Sequence, residues 1–319
     1  RSAELRDALG FTDPDAGGSA ETLTIDWDDP TGAPDSVFSL GAINALAVNQ
    51  TFTSTGADTT SVLTITSVNA GTGEIGYRVQ HRYTDDGTAT GGSSNRTVSV
   101  TALDNALATG TGTAAVTVVN VAPTAEFSLS TASLNEGGTL TMTGSFTDIG
   151  TPDTHTVTVV WDDPHAADSV FTLGATSGLS IGNTFTSTGA DTSTMLTISS
   201  VNPVTGKVTF SVTHLYSDNT LSDVQLTVTY DDSGTFTTAI SAVNVLNVAP
   251  VAVNDSGAAY TTNEDTLLIL PAAGVISNDT DASSLDTLSV TAFTGRSALG
   301  ANIVLNANGS LSYDPTVSA

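Results

Sequence analysis

"FTSTGADTTSVLTITSVNAGTG" is the sequence of Phe52–Gly73, and it returns with few changes as "FTSTGADTSTMLTISSVNPVTG" at Phe185–Gly206, 133 positions later. Other segments repeat at nearly the same spacing: Leu23–Pro30 with Val157–Pro164, Val37–Ala42 with Val170–Ala175, His81–Asp86 with His214–Asn219, and Val119–Pro123 with Leu246–Pro250. Small drifts in spacing are what loop insertions produce between two copies of one module. The sequence therefore predicts a tandem duplication, which suits a spacer or a binding array better than an enzyme.

Each copy has the pattern of an all-β sandwich. Apolar and polar residues alternate with period two in Thr156–Trp161, Val208–Tyr216 and Val224–Tyr230, which are rich in Val and Thr. Turn-forming pairs separate such runs at the short intervals typical of sandwiches. One segment, Ser2–Leu9, is instead predicted to form a short helix with Ser2 as its N-cap.

Composition limits the classes of function. The 319 residues include 33 acidic and 7 basic side chains, for a net charge of −26, and no cysteine. Such a surface repels nucleic-acid phosphates and anionic lipids and attracts cations. The lack of cysteine excludes disulfides and thiolate metal sites, and no apolar run reaches the roughly 18 residues of a membrane span. We expect no nucleic-acid binding and no membrane insertion.

The duplicated region resembles a known family. Asn135–Pro164, followed by the sequences VTHLYSDN and LTVTYDDSG, is similar to the PKD-type β-sandwich of bacterial surface proteins. The resemblance covers roughly residues 10–250 and implies an Ig-like fold without catalytic activity. Two departures stand out: the family's Trp-containing turn reads Trp-Asp-Asp-Pro here, and a long insert, residues 165–207, precedes the strand that carries His214.

The last stretch, Val248–Thr316, resembles the bacterial cadherin-like and VCBS-type modules of giant adhesins. The matching pieces are Asn263–Thr266, Val275–Asp281, Leu288–Val290 and Asn308–Pro315. Within it, the alternating strands around Asn308-Gly309 predict a hairpin with a type I′ turn.

We therefore expect three all-β, Ig-like modules in an elongated array: residues 1–121, 122–248 and 249–319. Because the chain starts at Arg1 without a signal peptide, and because the first and third modules look shorter than complete ones, we expect it to be part of a longer protein.

Acidic residues at turns make calcium the expected cofactor. Ca2+ takes six to eight oxygen ligands, and the spacing of Asp279 and Asp281 places two carboxylates in one turn. The cadherin-like resemblance implies calcium near the module joints, with Glu264, Asp279, Asp281 and Asp286 as ligands. The full set of candidate metal ligands is Asp13, Asp15, Glu136, Asp148, Asp153, Asp255, Glu264, Asp265, Asp279, Asp281 and Asp286. The alternative is that these are ordinary turn residues on a solvated surface.

No catalytic constellation is predicted. His81 and His214 occupy the same position in the two copies, as do Trp27 and Trp161, and both patterns favour structural roles. We predict a structural or adhesive segment of a large extracellular, cell-surface bacterial protein or fibre, stiffened by calcium. The expected partners are neighbouring repeats, including head-to-tail assembly, and a glycan or a host or biofilm surface. The alternatives are a glycan- or protein-binding module and an accessory region of a secreted enzyme.

Overall fold

The computed structural model describes residues 2–5, 10–14, 21–87, 92–231 and 234–317. Its strands form five sheets, and its helical segments are short 3-10 turns at Ile43–Ala45, Thr176–Gly178, Ala258–Tyr260, Gly274–Ile276 and Pro315–Val317. The all-β prediction is confirmed.

The first sandwich consists of two sheets that share one core. Its strands are β1 (Ser2–Leu5), β2 (Gly10–Thr12), β3 (Glu21–Asp26), β4 (Ser36–Gly41), β5 (Thr51–Thr53), β6 (Val62–Asn69), β7 (Glu74–Arg82), β8 (Ser93–Leu103) and β9 (Thr109–Val119). One sheet has the order β1-β7-β6-β5, with β2 also paired to β7, and the other has the order β4-β3-β8-β9.

The second sandwich repeats this plan. Its strands are β10 (Thr124–Leu129), β11 (Ser133–Asn135), β12 (Gly138–Thr147), β13 (His155–Val160), β14 (Ser169–Leu173), β15 (Thr184–Thr186), β16 (Met195–Asn202), β17 (Lys207–Tyr216), β18 (Thr220–Tyr230), β19 (Thr235–Thr237) and β20 (Ser241–Leu246). The sheets are β10-β12-β17-β16-β15 and β11-β20-β18-β13-β14, with β19 paired to β18.

Alternation along the strands builds both cores. In β13, Val157 and Val159 are fully buried while Thr156 and Thr158 are half-buried, because successive side chains of a strand point to opposite faces. Trp27 and Trp161 lie in the two cores and are almost completely buried. Their predicted structural role is confirmed.

Strand register confirms the duplication. A β-bulge falls between Ile65 and Ser67 in β6, and another falls at the equivalent place, between Ile198 and Ser200, in β16. The insert expected at residues 165–207 is not a loop insertion. It contains β14, β15 and β16, which occupy the same places in their sheets as β4, β5 and β6 in the first sandwich. The duplicated phrase is therefore an integral part of each sandwich.

The predicted helix at Ser2–Leu9 is wrong over its described part. Ser2–Leu5 forms β1 and pairs antiparallel with Val79–Arg82 of β7, while residues 6–9 lie outside the described residues. Pairing on the open edge of β7 satisfies backbone groups that a helix this short leaves largely unpaired. Strands β1 and β2 together take the place of β12, and the described part of the first sandwich contains no counterpart of β10 or β11.

The third unit is a four-stranded sheet with the order β21-β24-β23-β22, formed by β21 (Leu268–Leu270), β22 (Phe293–Arg296), β23 (Asn302–Leu305) and β24 (Leu311–Asp314). The predicted hairpin joins β23 and β24, but its turn is not type I′. Gly309 has a positive φ and Asn308 does not, and a type I′ turn needs positive φ at both central residues. Backbone bonds from Asn306 N to Ser310 O and from Gly309 N to Asn306 O instead close a longer loop.

In the described residues, no helix is long and apolar enough to cross a membrane.

Candidate metal centre

Both sandwiches contain one copy of a buried aromatic network. In the first, the His81 ring stacks on Trp27 with centroids 4.6 Å apart, and its Nε2 lies 2.7 Å from Asp29 Oδ2. The Tyr83 hydroxyl donates to the Trp27 carbonyl oxygen at 2.6 Å. In the second, Trp161, His214, Asp163 and Tyr216 make the same contacts. This network explains the repeated Trp-Asp-Asp-Pro and His-x-Tyr motifs as structural elements.

The repeated phrase itself supplies the aspartate that completes each network. Trp161 Nε1 donates to Ser169 Oγ at 2.9 Å, and that hydroxyl donates to Asp191 Oδ2 at 2.8 Å. Ser36 and Asp58 stand in the same relation to Trp27. Burial raises the pKa of the Asp191 carboxyl, but hydrogen bonds from Thr194, Ser193 and Ser169 outweigh it and hold that pKa well below its usual range. Asp58 and Asp191 are therefore ionised, and hydrogen bonds within each sandwich hold their carboxylates.

Three other acids converge where the second sandwich meets the third unit. Ligand oxygens of Glu136, Asp218 and Asp286 all lie within 4.8 Å of one another. Within the described ranges, these residues are the one group of three or more acidic, histidine or cysteine side chains this close together. Glu136 is buried, Asp218 half-buried and Asp286 exposed, so the cluster runs from the interior to solvent.

Backbone pairing at the joint holds Glu136 in place. It lies between β11 and β12, where its N–H donates to Leu246 O at 2.9 Å and the Gly137 N–H donates to Tyr216 O at 2.8 Å. Its Oε1 accepts a 2.6 Å hydrogen bond from the N–H of Val248, in the linker to the third unit. One carboxylate therefore ties the second sandwich to the linker that leaves it.

The second oxygen of Glu136 makes the case for a ligand. Glu136 is 3% exposed, and its Oε2 is buried without a hydrogen-bond partner. A buried carboxylate oxygen without a partner is costly. Burial, followed by repulsion from Asp218, Glu136 and Asp281, raises the pKa of Asp286 above its ordinary value. A cation in the cluster would relieve both penalties, and an all-oxygen donor set suits Ca2+.

The remaining candidates are dispersed. Asp279 Oδ1 accepts from Val253 N at 2.7 Å, and Asp281 Oδ1 accepts from Ser283 N at 3.0 Å. Glu264 and Asp265 are exposed, and Asp255 is half-buried. In the pair Asp279 and Asp281, whose spacing suggested one site, the first carboxylate thus holds the backbone of a distant segment and the second closes a local turn.

The candidates in the sandwiches have separate surroundings. Asp148 Oδ2 lies 3.0 Å from His155 Nε2, with both side chains fully buried. Asp153 is 3% exposed, and Asp13 lies beside Glu21. Asp15 lies outside the described residues.

Asp218 is not among the ligands predicted from the sequence, although it lies in the repeated segment His214–Asn219. The available signal was its position two residues after Tyr216, which places it at the end of β17 and therefore at the joint.

Comparison with protein families matches residues 246–318 to the Cadherin-like domain. The comparison with curated proteins found no match to the chain.

Among solved structures, the chain is similar to the Escherichia coli adhesin FdeC, with 14% identity, a TM-score of 0.30 and coverage of 98% of this chain and 92% of that one. It is also similar to the Yersinia pseudotuberculosis adhesin InvE, with 14% identity, a TM-score of 0.25 and coverage of 91% of this chain and 64% of InvE. Likenesses this distant support no inference about what the chain binds. The family match is limited to the end of the chain, where residues 246–318 fit the model of a cadherin-like domain.

Proposed function

We propose that the chain is a structural and adhesive segment of an extracellular bacterial surface protein, in which Ca2+ bound by Glu136, Asp218 and Asp286 fixes the third unit against the second sandwich. The observation that carries the metal site is the buried Oε2 of Glu136, which has no hydrogen-bond partner, in a residue whose carboxylate lies beside two others. The cadherin-like match of residues 246–318 and the duplicated sandwiches support the array.

The role we propose is not enzymatic. Three of the histidines, His81, His155 and His214, are held between an aspartate and an aromatic ring, an arrangement that supports packing rather than proton transfer. Neighbouring repeats, including head-to-tail copies, and a glycan or another surface are the partners that an adhesive array would contact.

The metal site is tested by thermal unfolding of the whole chain in Ca2+ and in EDTA. A cation bound to the folded state alone stabilises it by mass action. We expect saturating Ca2+ to raise the melting temperature of the third unit by roughly 5–10 °C. Asp286→Asn or Asp218→Asn should abolish most of that rise.

Glu264→Gln is the matched control, because Glu264 is an exposed acid outside the cluster. It should keep the full response to Ca2+. Identical melting curves in Ca2+ and EDTA for the unmodified chain, or loss of the response in Glu264→Gln alone, would contradict the proposed site.

A further inference from the structure

The acids at the joint between the second sandwich and the third unit have counterparts at the joint between the two sandwiches. Asp218 follows Tyr216 by two residues, as Asp85 follows Tyr83. Each carboxylate accepts a hydrogen bond from the backbone N–H of a residue that follows it closely in the chain: Asp218 from Asn219 N at 2.8 Å, and Asp85 from Gly87 N at 2.7 Å. The two aspartates occupy one position of the repeated module.

The partner acid on the following unit repeats as well. Asp281–Thr287 and Asp148–Thr154 share the pattern of Asp, four residues, Asp and Thr. Both stretches begin with the same local turn, in which Asp281 Oδ1 accepts from Ser283 N at 3.0 Å and Asp148 Oδ1 accepts from Gly150 N at 2.9 Å. Asp153 therefore corresponds to Asp286.

The joint between the sandwiches contains a cavity of about 320 Å3, and residues of both sandwiches line it. Asp85 and Asp86 line it from the first sandwich, Asp153 lines it from the second, and the linker Val119–Val121 lies between them. A cavity of this size holds an ion together with several water molecules, given that a liquid water occupies about 30 Å3.

Asp86 supplies the observation that points to a ligand. It is 3% exposed, and neither Oδ1 nor Oδ2 has a hydrogen-bond partner. Its carbonyl oxygen accepts from Ser94 and Arg96, so the backbone is satisfied while the charged group is not. A buried carboxylate with both oxygens unpartnered is among the most costly groups a protein interior can hold. The second sandwich has Asn219 at this position.

We propose that Asp85, Asp86 and Asp153 bind a second divalent cation of the calcium class at the joint between the two sandwiches. Strand β1 begins at Ser2, which is equivalent to Thr139, so Glu136 has no described counterpart in the first sandwich. At this joint Asp86 is the buried, unpartnered carboxylate, as Glu136 is at the other joint. The carboxylates here are more widely spaced than in the Glu136 cluster, so water molecules complete the coordination of the ion. This inference extends the proposed calcium dependence to a site with its own ligands.

The test is calorimetric titration of the whole chain with Ca2+. We expect two bound ions for the unmodified protein, one for Asp86→Asn and one for Asp286→Asn. Asp86→Asn copies the residue that the second sandwich already has, so the fold should tolerate it. In EDTA its melting temperature should equal or exceed that of the unmodified chain, because a neutral amide replaces an unpartnered buried charge. Glu74→Gln, an exposed acid at the far end of β7, should still bind two ions.

Each alternative result has a definite meaning. Two ions bound by Asp86→Asn with unchanged affinity, or one ion in the unmodified chain that Asp286→Asn removes, would overturn this inference and leave the Glu136 site standing. One ion that Asp86→Asn removes and Asp286→Asn leaves in place would support this inference and contradict the proposed site at Glu136. No bound ion in the unmodified chain would overturn both.

Discussion

A pair of side chains differs in chemical character between the two sandwiches. In the second, Asp148 and His155 form a buried pair at 3.0 Å. In the first, Asp13 and Glu21 occupy these positions, and Glu21 is 2% exposed with its Oε1 unpartnered. Burial, the hydrogen bond with Asp13 and the charges of Asp13 and Asp104 raise the pKa of Glu21 to about 7. A favourable pairing of acid and base is thus replaced by two acidic side chains joined by a hydrogen bond.

This exchange predicts a pH-dependent stability for the first sandwich. The folded-state pKa of Glu21 lies above its ordinary value of 4.5, so between pH 4.5 and about 7 the folded state binds more protons than the unfolded state. Stability therefore falls as pH rises through this window. We expect Glu21→Gln to remove a decline of about 1 kcal/mol, allowing for solvent screening, when chemical denaturation is followed at pH 5 and pH 8. Parallel pH profiles for the two proteins would contradict this assignment, and Glu74→Gln serves as the exposed control.

At the scale of elements, the last glycine of the repeated phrase joins two strands and contacts a third. Gly206 lies between β16 and β17 with φ +69°, and a Cβ there would collide with the Asp148 carbonyl oxygen. The Asp148 N–H donates to Gly206 O at 3.2 Å. Gly73 makes the same approach to Asp13 in the first sandwich. The phrase ends in glycine because a left-handed backbone and a close interstrand contact coincide there.

We therefore expect Gly206→Ala to destabilise the second sandwich by at least ~2 kcal/mol, since left-handed strain and a backbone collision act together. The free energy of unfolding from urea titration measures the effect. Gly174→Ala is the matched control, because Gly174 has no atom within 4 Å of a Cβ position and no positive φ. Equal costs for the two substitutions would show that the contact with Asp148 does not matter.

At the scale of the whole molecule, the two linkers decide how the units are arranged. Both contain Asn-Val-Ala-Pro, ending at Pro123 and Pro250, and the residue before a proline is biased to extended geometry. Glu136 holds the second linker through Val248 N. We infer that extended linkers and bound cations together keep the units end to end.

Small-angle scattering tests this arrangement. A compact single domain of 319 residues would have a radius of gyration of roughly 20 Å, and we expect a clearly larger value in Ca2+. We expect EDTA, or Asp286→Asn in Ca2+, to broaden the distribution of interatomic distances because a joint is released. A value near that of a compact domain would contradict the end-to-end array.

The sequence by itself determined the local structure of the two sandwiches. Alternation at Val157 and Val159, the duplicated phrase and the matched tryptophans indicated strands, repeats and core residues, because those features depend on period and composition within a short stretch. The local pattern predicted a helix at Ser2–Leu5, but this segment forms a strand because it pairs with the edge of β7.

Only the tertiary structure decided which acids act together. Glu136, Asp218 and Asp286 come from separate loops far apart in the chain, and they meet because β11, β17 and a turn of the third unit end at one joint. Asp279 and Asp281 are near neighbours in sequence, but Asp279 accepts a hydrogen bond from the distant Val253 N, whereas Asp281 closes a local turn with Ser283 N. Spacing along the chain reports which carboxylates share a turn. A metal site depends on which loops of different units converge and on which carboxylate oxygens remain buried without a partner, and both are set by long-range packing.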